Sequence, residues 1–392
     1  MKILNLVVTG LLLISYTQLF ATDKDKDKEK SNEVTEETKV DAPVFGGLQI
    51  SGFVDTYYKM NFGESGVPTS FMEESNSFAL GMANIVLSKQ TGKVGFVADL
   101  AFGPRAEVAN GYTGIYTDLS TGEGVSSPTL SIIKQLYVTY SPTEKLTFTM
   151  GNFSTFVGYE LIDSPGNFNY STSYMFSNGP FYHTGVKADY AISDKVGVMV
   201  GVFNETDSKM SFQDPKLYGA QLSFAPNEKT AIYLNYLGGN YEYSDIDKDA
   251  FAQIDLTATF QANDQLLIGV NATNQSWNYQ MEGQDDIKTS WFGGALYLNY
   301  MLTETAGIGF RGEYIGDDDA LILGGYDTGD VEDMGGSITS FTLSGNINIG
   351  DLKLIPEVRY DMASDNVSEF LDGDGMATNS TGFLGLAAVY SF

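Results

Sequence analysis

From Ala42 to the C-terminal Phe392, apolar and polar side chains alternate in short runs instead of recurring every third or fourth residue. In AFAQIDLTATFQA, residues 250–262, Ile254, Leu256, Ala258 and Phe260 interleave with Gln253, Asp255, Thr257, Thr259 and Gln261. Successive side chains of a strand point to opposite faces, so this run predicts a strand with one greasy and one polar face. GGLQISGFVDTYYKMNF, residues 46–62, sets Leu48, Ile50, Val54 and Tyr58 against Gln49, Ser51, Asp55, Lys59 and Asn61, with Phe53 and Tyr57 as exceptions on the polar side. The chain closes on FLGLAAVYSF, in which Leu384, Leu386, Ala388, Tyr390 and Phe392 share one parity.

Followed along the chain, the alternation predicts sixteen strands, over 47–61, 77–88, 94–103, 130–140, 146–153, 182–192, 196–204, 216–225, 230–238, 250–262, 266–275, 289–302, 307–316, 337–349, 352–363 and 382–392. The connections sort into two kinds. KQTGK, SPTEK, SDK, PNEK, ND, TETA and GD are short turns, and they alternate with longer polar segments such as 104–129, 154–181, 317–336 and 364–381. Short turns at one end and long loops at the other, with an even strand number, are the signature of an all-β, closed antiparallel up-and-down transmembrane β-barrel. Strands in lipid have no water to satisfy edge N–H and C=O groups, so the sheet must close on itself. At about sixteen strands the interior is wide enough for water.

Composition agrees with strands and turns: the chain has 24 Tyr, 25 Phe and 43 Gly but only 10 Pro in 392 residues. A mean hydropathy of -0.11 does not argue against a membrane, because the apolar and polar faces of alternating strands cancel. MKILNLVVTGLLLISYTQLFA, residues 1–21, has one Lys, an apolar run and a terminal Ala21, the shape of a secretory signal peptide. Residues 22–41, TDKDKDKEKSNEVTEETKVD, carry almost nothing to bury and are expected to be a disordered charged periplasmic spacer. The barrel is expected to occupy 42–392. With no cysteine, the chain has neither a disulfide framework nor an acylated Cys anchor.

SGFVDTYYKMNF in the first strand and GNFSTFVGYELIDSPGNFNYSTSYMFSNGPFYHTGVKADY at residues 151–190 resemble the OmpL-like family of β-barrel porins. The resemblance implies a pore-forming protein of the bacterial cell outer membrane, embedded among lipid and lipopolysaccharide and passing small hydrophilic solutes. It implies no catalytic or ligand residues. The terminal Phe392, with Tyr390 behind it, is similar to the signal read by the outer-membrane assembly machinery. By analogy with general porins, a homotrimer is an expectation.

Parity turns Asp55, Lys59, Asp99, Lys187, Asp189, Asp255, Arg311, Glu313, Lys353, Glu357, Arg359 and Asp361 toward the lumen. In general porins a basic wall cluster faces carboxylates on an infolded third loop. The corresponding pore constriction here would pair Arg311, Arg359, Lys59 and Lys353 with Glu160 and Asp163 of the 154–181 loop. The competing reading pairs the arginines with neighbouring Glu313 and Glu357 as solvated wall. A net charge of -28 predicts cation-attracting vestibules and argues against nucleic-acid binding.

No cofactor and no metal site is expected. Asp245, Asp247 and Asp249 mimic the start of a calcium loop, but Ala250 stands where the turn glycine belongs and Leu256 where the bidentate Glu belongs. DGDG at 372–375 leaves weak surface binding of divalent ions open. An enzyme is not expected, since a barrel hydrolase would need a positioned base and the one histidine, His183, lies in no recognisable hydrolase motif. A surface adhesin or antigen carried on the loops is the other alternative.

Overall fold

The computed structural model describes residues 46–111, 114–117, 124–211, 216–242, 248–280, 286–317, 319–323, 335–364 and 370–392. The expected signal peptide and charged spacer, Asp245, Asp247 and the acidic run 329–334 lie outside the described residues.

Sixteen strands form one closed antiparallel barrel in which each pairs with its neighbours in sequence. They are β1 (Gln49–Asn61), β2 (Ser77–Thr91), β3 (Val94–Phe102), β4 (Ile133–Thr143), β5 (Leu146–Ser154), β6 (Tyr182–Ala191), β7 (Val196–Phe203) and β8 (Leu217–Asn227). The second half comprises β9 (Thr230–Glu242), β10 (Lys248–Gln261), β11 (Leu266–Tyr279), β12 (Ile287–Met301), β13 (Ala306–Asp317), β14 (Gly336–Ile349), β15 (Leu352–Ala363) and β16 (Ser380–Ser391). The predicted strands are all present. The largest shift of a strand start is at β4, which begins at Ile133 because Pro128–Ser131 form a short helix first, while β9 and β11 each run four residues further than expected.

Closure comes from β1 against β16, in a register running from Phe53↔Ser391 to Asn61↔Phe383. The last residue completes the seam: Phe392 N–H donates to Gly52 O at 3.0 Å and Gly52 N–H to Phe392 O at 3.1 Å. The C-terminal alternation therefore has a structural purpose, because this strand leaves no free edge. Leu384, Leu386, Tyr390 and Phe392 point outward and are exposed, while Phe383, Ala387 and Val389 point inward and are buried.

The outer face repeats this pattern. Val138, Tyr140, Phe148, Met150, Val200 and Leu222 are large, apolar and exposed, as a lipid-facing wall requires. The inside departs from expectation: part of the lumen is a packed core. Phe53, Tyr57, Ile315, Ile338, Ile355 and Phe383 all point inward and are buried against Tyr170, Tyr174 and Met175 of the segment after β5. Phe53 and Tyr57, the two exceptions to the alternation in β1, belong to this core. A segment folded into the barrel needs apolar partners on the wall, and these residues supply them.

Candidate functional site

The segment 155–181 enters the lumen from the long-loop end. It includes a turn of 3-10 helix at Ser164–Gly166 and a short helix, α1, at Tyr174–Ser177. It crosses to β13–β15 and lies close to that wall. At Gly309 on β13, a Cβ would sit 2.7 Å from the Phe168 carbonyl oxygen, so the missing side chain permits the approach.

Wall charges hold the segment by its backbone. Glu313 accepts from the amides of Tyr174 (3.0 Å) and Met175 (2.9 Å). Glu357 accepts from the amides of Tyr170 (2.7 Å) and Ser171 (3.0 Å). Between these two carboxylates, Arg311 donates to Ser171 O at 2.7 Å and to Thr172 O at 3.2 Å, and Arg359 donates to Thr172 O at 2.7 Å. Acids take N–H groups and bases take carbonyls, so a stretch without regular structure has its polar groups satisfied in a buried place.

Four of the six predicted constriction residues, Arg311, Arg359, Lys353 and Glu160, are brought to this interface. Arg311 Nη1 donates to Glu160 Oε1 at 2.5 Å, and Glu160 also accepts from Ser173 N at 2.8 Å. Arg359 pairs with Asp361 on its own strand at 2.9 Å, and Asp361 in turn accepts from Tyr174 OH at 2.7 Å. Lys353 donates to Pro165 O at 2.9 Å. Lys59 donates to Glu73 O at 3.0 Å and to Met72 O, in the segment after β1. Asp163 pairs with Lys134 at the base of β4, and Lys134 also contacts Asp99 at 2.6 Å. The six residues therefore do not converge on one open ring. Arg311 and Arg359 are 0% exposed, between the segment and the wall.

Sequence reasoning missed three elements of this arrangement. Glu313 and Glu357 bind the segment's backbone instead of pairing with the arginines along the strand. Arg105, in a helix spanning Pro104–Asn110, is sandwiched between the rings of Phe71 (4.8 Å) and Tyr170 (4.6 Å) and donates to Ile162 O at 3.0 Å. Asp55 accepts from Ser164 Oγ at 2.6 Å. Inward parity marked Asp55, Glu313 and Glu357, but nothing local in the sequence named their partners more than a hundred residues away.

Where the segment does not fill the lumen, charged wall residues remain partly open to water: Lys187 and Asp189 pair at 3.1 Å with side chains 23% and 24% exposed. His183 is buried, with Nε2 2.9 Å from Thr155 Oγ1 and its ring between Phe156 and Phe203. Asp372 of the DGDG run accepts from the amides of Asp374 and Met376, both at 2.9 Å, which makes it a turn former. Among the described residues, no three metal-ligating side chains converge.

A family model described as "Putative beta-barrel porin-2, OmpL-like" matches residues 47–392. No curated protein sequence matches. In fold, the chain is similar to the outer membrane channel DcaP of Acinetobacter baumannii, with a TM-score of 0.59 at 13% identity over 88% of this chain and 97% of that one. It is also similar to OprB of Pseudomonas putida (TM-score 0.56, 12% identity, 88% and 94% covered). A third similar structure is the anion-selective porin from Comamonas acidovorans (TM-score 0.53, 10% identity, 88% and 99% covered).

Proposed function

The chain belongs to the OmpL-like family of β-barrel porins, and from this premise we propose that it lets ions and small hydrophilic solutes diffuse passively through its lumen, sorted by size and charge. It is an outer-membrane porin. The observation that carries the finer reading is a closed wall, apolar outside and largely polar inside, narrowed at mid-height by an infolded segment. Such a wall needs no covalent step and no cofactor to move solutes.

In this reading Arg311, Arg359, Lys59, Lys353, Glu160 and Asp163 set the bore by fixing the infolded segments, with their charges largely spent on hydrogen bonds. The acidic balance of the chain then dominates the vestibules and attracts cations. Residues 1–21 serve as an export signal and 22–41 as a periplasmic spacer. Phe392 and Tyr390 serve as the recognition end for assembly into lipid and lipopolysaccharide, with a homotrimer as the assembled form.

The test is single-channel recording of the purified protein in a planar bilayer under a KCl gradient. Stepwise conductance with a cation-selective reversal potential supports the reading. A correctly inserted barrel that passes no current overturns it and makes the loops, as an adhesin surface, the leading alternative.

A further inference from the structure

The wall beside the arginines, from β8 round to β12, has a different chemistry. Along β8–β12 the inward positions described hold amides, hydroxyls, aromatics and aliphatic groups, with Asp249 and Asp255 as the carboxylates and no Lys or Arg among them. This wall meets the near edge of the infolded segment at few polar contacts, beside Tyr159, which lies over Gly269 and stacks on Tyr297, and Phe156, which lies over Gly219. Gly158 N–H donates to Asp255 Oδ1 at 3.0 Å, and Gln221 Nε2 donates to Phe156 O at 3.4 Å.

Between that edge and the wall lies a cavity lined by Gly158 and Phe176 on one side and by Gln253, Asp255, Asn271 and Thr273 on the other. Its volume is about 10 Å³, room for roughly one water molecule. Gln253 is 2% exposed and donates to Thr273 Oγ1 at 3.2 Å, while its Oε1 has no hydrogen-bond partner. A buried amide oxygen left free beside a cavity is an acceptor for a passing hydroxyl, water or cation. On the arginine side the segment is joined to the wall by several charge-assisted bonds, through Glu313, Glu357, Arg311 and Arg359.

We infer that solutes cross the infolded segment through the gap between Gly158 and the β10–β11 wall, and that Asp255 and Gln253 set its selectivity, favouring small cations and uncharged hydroxylated solutes over anions. The inference rests on the diffusion reading above and specifies its path. Asp255 accepts from Asn235 Nδ2 at 2.9 Å and Asn271 Nδ2 at 2.6 Å as well as from Gly158, so its carboxylate is held rigidly at the edge of the gap. A solute larger than water passes when the Gly158 edge lifts. That movement breaks the Gly158–Asp255 hydrogen bond and parts Tyr159 from the Tyr297 ring on which it stacks, while the bonds of Glu313, Glu357 and Arg359 to residues 170–175 lie further along the segment. Gly158 has φ +91°, a backbone conformation that side-chain-bearing residues rarely adopt, so this edge is built for a glycine.

The wild-type chain has no cysteine, so a thiol introduced at Thr273→Cys is unique. In bilayer recordings, a cationic methanethiosulfonate reagent is expected to remove most of the current of this variant and leave the wild type unchanged. Asp255→Asn, which keeps the shape and an acceptor for Gly158, is expected to lower the cation-to-anion permeability ratio by roughly half. If wild-type current flows, yet the reagent leaves Thr273→Cys unaffected or Asp255→Asn keeps the wild-type reversal potential, the path lies elsewhere. A silent wild-type channel overturns the diffusion reading itself.

Discussion

On the β13–β15 side of the lumen, Glu313 and Glu357 each take two consecutive amides of the infolded segment, and Arg311 and Arg359 take the carbonyls between them. On the β8–β11 side the polar contacts of the same segment are one bond to Asp255 and one long bond to Gln221, beside the packing of Phe156 over Gly219 and Tyr159 over Gly269. Both walls are polar and inward-facing, so the difference lies in the number of charged side chains that bind the segment: four on the first and Asp255 alone on the second. A charge-assisted hydrogen bond contributes about 1.5–3 kcal/mol net, and several acting on one short stretch make it part of the wall. An amide-rich wall offers weaker bonds that can be exchanged for a solute's. One side thus anchors and the other admits, and the lumen is divided by the kind of polar group it presents.

Breaking the anchored side is expected to have the largest effect. Arg311→Ala/Arg359→Ala leaves Glu160 and Asp361 buried without their cations, a loss of about 3–5 kcal/mol for each broken pair. The urea midpoint of the folded barrel should fall sharply, and conductance should rise as the segment detaches. Unchanged conductance in a folded double variant would mean that the segment is held by its apolar contacts alone. Glu313→Ala comes next: it strips the amides of Tyr174 and Met175 of their acceptor, costing about 2–5 kcal/mol. Faster amide exchange across α1 is the readout.

On the admitting side, Asn235→Ala removes one donor to Asp255 and should cost only about 1 kcal/mol. The expected consequence is a broader distribution of open-channel current levels at nearly unchanged stability. If its effect on stability equals that of Glu313→Ala, the contrast between the two walls fails.

The most local effect lies outside the barrel wall, at Asp207 in the connection after β7. Its carboxylate accepts from the amides of Phe181 (2.7 Å) and Tyr182 (2.9 Å). Burial raises its pKa to about 7, against the opposing pull of those amides and of Lys209. The folded state therefore keeps this proton over a range in which the unfolded chain, titrating near the ordinary carboxylate value, has lost it. The stabilisation it brings is complete at acid pH and is lost as pH rises toward and through about 7. Exchange of the Phe181 and Tyr182 amides, corrected for intrinsic rates, should quicken between pH 5 and pH 8 (about one unit on each side of that transition or more), and Asp207→Asn should abolish the dependence.

Much of the barrel was legible because its rule is local. Period-two alternation, short turns such as GD at 350–351, and the parity of Phe392 and Tyr390 each depend on neighbours a few residues apart. The start of β4 was misjudged where Pro128–Ser131 fold as a helix, since four residues carry too little periodicity to separate from a strand end. Inward charges such as Arg311 and Glu313 were placed on the correct face. The sequence also hinted at the internal core through Phe53 and Tyr57, apolar residues at inward parity, although in isolation they read as irregularities.

The amino-acid sequence by itself determined a closed sixteen-stranded wall with a greasy exterior, because lipid on one face and polar groups on the other leave a strand one orientation. Tertiary structure alone decided what the inward charges do. Glu357 meets Tyr170 and Ser171 across nearly two hundred residues of chain, and no local pattern records that encounter. A buried charge is satisfied by whichever partner the fold delivers, so the division of the lumen into a heavily anchored side and a lightly bonded side emerges only when the segment after β5 folds into the barrel.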